Sequence, residues 1–346
     1  MQLFRNTCVY LLVLCFAGPA FAQDREPAAW EPIGLAPVDQ AGAGRRGYAM
    51  AGESAHVAPP HTGSLSLHIV AANNFYVEGT TALQISQRSE THMLAIEYRR
   101  GFKLRRGPRF EVGAQLQVGE TGAGILNGFI AGFEDFVHAS LRSRIATPPP
   151  LGTSVVRNGR PIYQSAGAGG GVGDLTVVAK ALLRDRPAAS RETRVAARLV
   201  LNVSGAPAFT NGTFVGAGLS VERKLFEWVA LHGDARASLS IDRVSAWGLP
   251  LTRGVASFSV GPELRLAANS SLSLQYEGST SPYQATGTVG LDSGYGHVAV
   301  GLNHRFSGPW RPFNAQLYAR ENMNLPFSVR WNTDPDFTVG LKITLR

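Results

Sequence analysis

The sequence predicts a transmembrane antiparallel up-and-down β-barrel of about twelve strands. Three observations predict it. Period-two segments of bilayer-spanning length recur along most of the chain, their connectors alternate long and short, and the last residues, Asp336–Arg346, alternate polar and apolar to the end. In that last stretch Phe337, Val339, Leu341, Ile343 and Leu345 share one face, and Asp336, Thr338, Lys342, Thr344 and Arg346 the other. A chain ending in mid-strand must pair that strand, and pairing it with the first strand closes a barrel and leaves no edge.

The N-terminus supplies the compartment. Arg5, the short apolar run Val9–Ala17, the breaker Gly18-Pro19 and the small-x-small site Ala20-Phe21-Ala22 make residues 1–22 a cleaved secretory signal. Leu14 is bulky where lipoprotein processing before Cys15 takes a small residue. Cys8 and Cys15 leave with the signal, so the mature chain has no disulfide or thiol chemistry. No later segment approaches twenty or so apolar residues, the length of a membrane-spanning helix. Residues 23–63 are expected as an N-terminal periplasmic segment and 64–346 as a barrel in the outer membrane of a Gram-negative bacterium. The 39 glycines in 346 residues, 17% charged residues and mean hydropathy of −0.02 suit a wall whose apolar outside and polar inside cancel.

Twelve strands are placed in order. The first, 64–73, is the partner expected for the last. Strand 91–101 sends Glu97 and Arg99 inward, and 109–119 sends Glu111, Gln115 and Gln117 inward with Phe110, Val112, Ala114, Leu116 and Val118 outward. Strands 172–185, 191–203, 213–224 and 227–240 carry the inward pairs Asp174 and Lys180 (with Arg184), Arg194 and Arg198, Glu222 and Lys224, and Asp234 and Arg236. In 253–266, Phe258, Val260, Leu264 and Leu266 alternate with Ser257, Ser259, Glu263 and Arg265; in 270–279, Leu272, Leu274 and Tyr276 alternate with Ser271, Ser273, Gln275 and Glu277. Strands 294–306, 312–320 and 336–346 follow, with Arg305 and Lys342 inward.

The connectors separate a membrane barrel from a soluble sandwich. Short ones (Phe102–Pro108, Arg186–Ser190, Leu225-Phe226, Ala267–Asn269, Ser307–Arg311) alternate with long ones (74–90, 120–171, 204–212, 241–252, 280–293, 321–335). Tight periplasmic turns and long outside loops are the asymmetry of outer-membrane barrels. In the longest connector, Ile125, Leu126, Phe129, Ile130, Phe133, Phe136 and Val137 recur at helical spacing, which predicts a short helix over 124–141. Phe129, Phe133 and Phe136 are its candidates for a mouth plug; a helix lying on the surface of the loops is the alternative. The glycine run Gly167–Gly173 leads into a strand rather than a helix, so it marks a tight start or bulge and not a phosphate cradle.

The order of short motifs carries a resemblance. Asn73-Asn74-Phe75, Arg88-Ser-Glu-Thr91, Tyr98-Arg-Arg-Gly101, Phe129-Ile-Ala-Gly-Phe-Glu-Asp-Phe136, Gly171-Val-Gly-Asp-Leu175, Ser281-Pro-Tyr283, Glu321-Asn322 and Pro335-Asp-Phe337 resemble the bacterial DUF3187 family. The resemblance implies an outer-membrane barrel without an assigned activity, and it runs from about residue 60 to the end. Family members often carry Trp-His where this chain has Phe133-Glu134. The Gly-x-Gly-Asp element also resembles barrels of the fatty-acid and aromatic-hydrocarbon transport group. Thr338, Gly340, Ile343 and Leu345 resemble the outer-membrane sorting signal, with Arg346 in the place of its terminal aromatic residue.

Inward charge of both signs has two readings: ion pairs that knit a closed wall, or a constriction with a positive bias. Lys180, Arg194, Arg198, Arg236 and Arg265 are the candidates for that bias; Arg194 and Arg198 face the same way on one strand with no acid between them. The net charge of +8 is spread through strands and turns, with no nucleic-acid module. His138-Ala139-Ser140 has the spacing of the His-x-Ser pair of outer-membrane lipid hydrolases, but on a helix such residues point apart. The histidines show no metal-binding spacing, and no cofactor is expected. The reading that follows is passive passage of a small solute without chemistry. A closed-lumen structural or binding protein of the envelope comes second, and a lipid-modifying enzyme third. The expected partners are outer-membrane lipid and lipopolysaccharide, the barrel-assembly machinery during biogenesis, and the solute.

Overall fold

The computed structural model describes residues 30–36, 50–105, 107–124, 126, 150–186, 192–207, 209–210, 212–284, 286–292, 294–322 and 337–346. Pro32–Arg346 form one compact unit; of the other, Met1–Glu31, Trp30 and Glu31 are described. The expected signal peptide and the helix over 124–141, apart from Gly124 and Leu126, lie outside these residues.

The strands are β1 (Gly63–Gly79), β2 (Leu83–Lys103), β3 (Arg109–Gly122), β4 (Gly152–Arg157), β5 (Arg160–Ala166), β6 (Gly169–Arg186), β7 (Thr193–Val203), β8 (Phe214–Phe226), β9 (Val229–Ser240), β10 (Gly254–Ala267), β11 (Ser270–Ser279), β12 (Tyr295–Arg305), β13 (Phe313–Asn322) and β14 (Thr338–Leu345). Twelve of them, all but β4 and β5, form a closed antiparallel barrel in chain order. β1 pairs with β2 on one side and with β14 on the other, from Leu65↔Leu345 to Ala72↔Thr338. The terminal strand therefore closes against the first, as its alternation predicts.

Alternation decides which side chains face lipid. Leu65, Leu67, Ile96, Leu116, Leu199, Leu219, Phe258 and Leu274 stand exposed on the outside, while Ser66, Glu97, Lys180, Arg198, Ser220, Asp234 and Gln275 are buried inside. At the short-turn end the outside is aromatic. Phe102 stacks on Phe110 and Phe226 on Trp228, with centroids 5.2 and 5.8 Å apart, and Trp310 lies 5.7 Å from Phe313. Such a girdle suits the interface between hydrocarbon and water.

The connector expected over 74–90 is instead strand. β1 and β2 run on as a ribbon to Gly79 and Leu83. Outside the membrane no lipid demands an apolar face, so the even positions of β2 turn from Leu94, Ile96 and Tyr98 to Gln84, Ser86 and Arg88. The 120–171 connector likewise contains the β4–β5 hairpin, whose first strand pairs with Leu83–Arg88. Its turn is Asn158-Gly159, both at positive φ (49° and 74°), the geometry a two-residue hairpin needs.

The glycine run holds a bulge. The β3–β6 register slips between Leu116↔Leu175 and Val118↔Val172. Asp174, beside the slip, keeps the inward face of Thr176 and Lys180, and there its Oδ1 accepts from Gly205 N at 3.1 Å and its Oδ2 from Asn202 Nδ2 at 2.9 Å.

Candidate functional site: the lumen and the segment inside it

One rung of the wall gathers charge. Hydrogen-bonded neighbours around the barrel run Glu111, Lys180, Arg198, Gly218, Arg236 and Ser257, all facing in. Gly218 makes room between two guanidinium groups: a Cβ there would lie 2.9 Å from Arg198 Nε and 3.4 Å from Arg236 Cγ. One rung away on the same face, Arg99 Nε donates to Glu97 Oε1 at 2.5 Å, and Lys342 Nζ to Glu97 Oε2 at 2.9 Å.

Residues before β1 complete this cluster. Residues 23–63 were expected in the periplasm, yet residues 50–58 descend inside the wall before the chain reaches β1. Glu53 is their one carboxylate, and cations from three strands meet it. Arg99 grips it with both terminal nitrogens, Nη2 to Oε1 at 2.5 Å and Nη1 to Oε2 at 3.1 Å. Lys180 Nζ donates to Oε2 at 3.2 Å, and Arg198 Nη1 lies 3.2 Å from Oε1. The flanking backbone is held too. Ser54 O accepts from Lys180 Nζ and Ala51 O from Arg198 Nη2, both at 2.6 Å, and Ala58 N donates to Glu111 Oε2 at 2.7 Å. Burial pushes the Glu53 carboxyl up, but the charges of Arg99, Lys180 and Arg198 outweigh it and hold the group well below the usual carboxylate range.

A second leg docks across the lumen. Glu263 accepts from Ile33 N at 3.0 Å and Gly34 N at 2.9 Å, and also from Ser271 Oγ at 2.5 Å. Its Oε2 lies 3.0 Å from His232 Nε2. Gln316 Nε2 donates to Leu35 O at 3.5 Å. The two legs touch where Gly34, at φ 108°, presents bare backbone: a Cβ there would fall 2.4 Å from Ser54 Cβ. The lumen thus holds chain of its own, attached through side chains rather than by strand pairing.

The long-connector end is closed by apolar packing. Trp247, Leu249 and Leu251 of the 241–253 connector cluster with Tyr76, Leu83, Ile85, Val155 of β4, Tyr283 and Leu291 of the single-turn helix α1 (Val289–Asp292). Hairpin β4–β5 reaches this connector, since a Cβ on Gly248 would lie 3.6 Å from Ile162. The same cluster continues inward through Phe214 to Met50 of the inner segment.

The structure brings together three of the five basic candidates. Lys180, Arg198 and Arg236 share one rung, and Arg236 pairs with Asp234 at 3.2 Å and Glu277 at 2.8 Å. Arg194 faces the same way as Arg198 with no acid between them on the strand, and both meet carboxylates. Arg194 pairs with Glu192, with Glu222 at 3.4 Å and with Asp185 at 3.8 Å, and Arg198 with Glu53 and with Asp234 at 3.0 Å. Arg265 sits apart at the short-turn end, half-buried, where its Nε donates to Ala267 O at 3.3 Å. Phe129, Phe133, Phe136, His138 and Ser140 lie outside the described residues. His68 faces in and bonds Tyr318 at 2.8 Å, while His92 bonds Glu90 and Glu120. Among the described residues no group of three His, Cys, Asp or Glu is placed to hold a metal ion. Sequence reading missed Glu53, the anchoring role of Glu263, and the buried Arg320.

Comparison with solved structures agrees with this architecture. The COG4313 outer-membrane channel from Pseudomonas putida F1 superposes with a TM-score of 0.56 at 13% identity, over 84% of this chain and 97% of that one. A FadL homologue from Pseudomonas aeruginosa gives 0.43 at 9% identity, over 82% and 90%; the NanC porin gives 0.40 at 7%, over 81% and 99%. The first likeness shows a shared fold. No protein-family model matches the chain, and no curated protein does.

Proposed function

We propose that this chain is a passive outer-membrane channel for a small solute, drawn here in its closed state. One observation carries the reading. The lumen is filled by a segment that belongs to no strand and is held by side-chain bonds and ion pairs, so it can leave without opening the wall. A barrel meant to stay solid would fill its interior from its own inward residues, as small barrels do. The short-turn end with its aromatic girdle faces the periplasm, and the ribbon and hairpin face outside. The name of the Pseudomonas putida relative, an outer-membrane channel, supports the same role.

The test is conductance in planar bilayers, comparing the refolded full chain with one lacking residues 32–58. The channel predicts low, intermittent current from the full chain and a steady increase on deletion. Silence from both, with the deleted barrel still folded by its heat-dependent gel shift, would remove the channel reading in favour of a solid envelope barrel.

A further inference from the structure

We propose that Arg99, Lys180 and Arg198 form a carboxylate-binding site in the lumen, and that Glu53 occupies it as a tethered stand-in for the solute. The proposal rests on the channel reading and names its solute class: a small, polar molecule bearing a carboxylate.

Three features of the site point this way. First, its geometry suits a planar, two-oxygen anion. Arg99 reaches both Glu53 oxygens, at 2.5 and 3.1 Å, while Lys180 and Arg198 each take one, both at 3.2 Å. A guanidinium fork on a carboxylate is the pairing that such geometry favours. Second, the charge balance is tied to an element that is not wall. A continuous network links Arg99, Lys180, Arg198, Arg236 and Lys342 to Glu53, Glu97, Glu111, Asp234 and Glu277. Five cations thus face five carboxylates among the described residues, and without Glu53 they face four. Glu53 is also the one carboxylate partner of Lys180 among those residues, and the Lys180 side chain is 2% exposed. A buried ammonium stripped of its partner is costly, so departure of the segment calls for another anion in its place. Third, there is room beside the carboxylate. A cavity of about 90 Å³ adjoins Glu53 and Arg99, lined on the wall by Gln115, Gln117, Thr176 and Asn202 and also by the apolar Val178, Val200 and Phe214. Its polar side suits hydroxyl or amide groups on the rest of a small solute, and its apolar side a short hydrocarbon part.

Solute and segment then compete for the same cations. A carboxylate arriving in the lumen takes the place of Glu53, and the segment is released by the cargo it resembles. Chloride has no oxygens for Arg99 to bridge, and a tetrahedral oxyanion, although a guanidinium fork accepts it, brings four oxygens to a site that receives two from Glu53.

The experiment uses the full chain with Cys8→Ser, Cys15→Ser and Ser54→Cys, refolded in detergent, and follows labelling by a bulky maleimide. Ser54 lies in the docked segment, so labelling reports its release. Succinate is expected to raise the labelling rate about tenfold, the effect of losing a charge-assisted pair, while sulfate and chloride at matched ionic strength leave it unchanged. Lys180→Met should label fast from the start and ignore succinate; Arg265→Gln, outside the cluster, should respond as the parent does. No effect of succinate, an equal effect of sulfate, or a Lys180→Met protein that still responds normally would each overturn the site. Bilayer current keeps the two proposals apart. Current without a succinate effect overturns the carboxylate site alone, whereas release by succinate without current, even after deletion of 32–58, overturns the channel and leaves an anion-binding barrel.

Discussion

Gly101 of β2 and Pro59 meet backbone to backbone. A Cβ on Gly101 would fall 2.2 Å from the Pro59 carbonyl oxygen and 2.6 Å from that of Ala58. The same glycine accepts from His61 N and donates to Thr62 O, both at 2.9 Å, so the inner segment leaves the lumen pressed on bare strand. Backbone cannot swing aside as a side chain can. Gly101→Val should therefore lift the exit of the segment at a cost of about 1–3 kcal/mol, raising its undocked fraction about tenfold or more. Protease cleavage within residues 50–62 should speed up accordingly. Unchanged cleavage in a folded variant would show that this contact does not hold the segment.

Glu263 anchors the other leg by accepting two adjacent backbone N–H groups, from Ile33 and Gly34. A carboxylate can face two donors with its two oxygens; an amide cannot. Glu263→Gln sets an NH2 against one N–H, and the lost bond with its repulsion costs about 1–3 kcal/mol. Hydrogen exchange at Gly34 should quicken about tenfold or more, with less change in residues 50–58, which have Arg99, Lys180 and Arg198 as their own holds. Equal acceleration of both legs would mean they dock as one unit.

The wall was legible in the sequence because lipid on one side and polar lumen on the other impose period two. Val112, Leu116 and Val118 against Glu111 and Gln117 state the strand outright, and β11 falls where its alternation puts it. That signal fails where lipid ends. Gln84, Ser86 and Arg88 leave the outward face polar, and Leu83 and Ile85 alone mark the buried one, so the ribbon above the membrane reads as loop, although Asn158-Gly159 was available as a hairpin signal. The inner segment had even less to show. Met50-Ala-Gly-Glu-Ser-Ala-His-Val-Ala58 follows no period, because it is ordered by the surrounding wall and not by a sheet. Its one clue is composition: a single carboxylate among small residues, which is what fits inside a narrow barrel lined with arginine and lysine.

The latch formed by Glu53 should be insensitive to mild acid. Burial raises its carboxyl, but Arg99, Lys180 and Arg198 lower it further, to well below the ordinary 4.5. A group depressed in the docked state contributes fully above its free value and loses that contribution as pH falls through its docked value. Labelling at Ser54→Cys, taken relative to a free thiol at each pH because maleimide reacts with the thiolate, should accordingly stay flat from about pH 8 to about pH 5 and rise only in stronger acid. Glu53→Gln should abolish the acid limb and label fast throughout. A rise near neutrality that survives in Glu53→Gln would assign the release to another group.

Closure of the barrel depends on a glycine under an aromatic ring. A Cβ on Gly340 of β14 would meet Tyr318 of β13 at 2.2 Å, and the Tyr318 hydroxyl bonds His68 Nε2 of β1 at 2.8 Å. One fully buried side chain thus spans the three strands of the seam. Gly340→Val expels that ring and should destabilise the barrel by about 2–4 kcal/mol, seen as a lower temperature for the heat-dependent gel shift. Tyr318→Phe keeps the ring and removes only the hydroxyl bond, so it should cost about 1 kcal/mol. Equal losses in the two would place the seam's strength in the hydrogen bond rather than in packing.

Trp247 decides whether the outer mouth is a second barrier. It is 2% exposed, packed with Leu249, Ile85 and Val155 in the cluster that joins the 241–253 connector to the hairpin. Truncation to alanine removes a large buried ring from a region outside the membrane, with an expected loss of about 3–5 kcal/mol in the packing of the cap. The wall does not depend on that packing, since its strands pair below the cap without Trp247. Trp247→Ala should therefore leave the gel shift nearly unchanged while hydrogen exchange quickens in 241–253 and β4–β5 together. Combined with deletion of 32–58, it tests two barriers in series. If each blocks the path, either change alone gives a small current, and the double variant exceeds the sum of the two. A double variant that matches the deletion alone would assign the closure to the inner segment and leave the cap a structural cover.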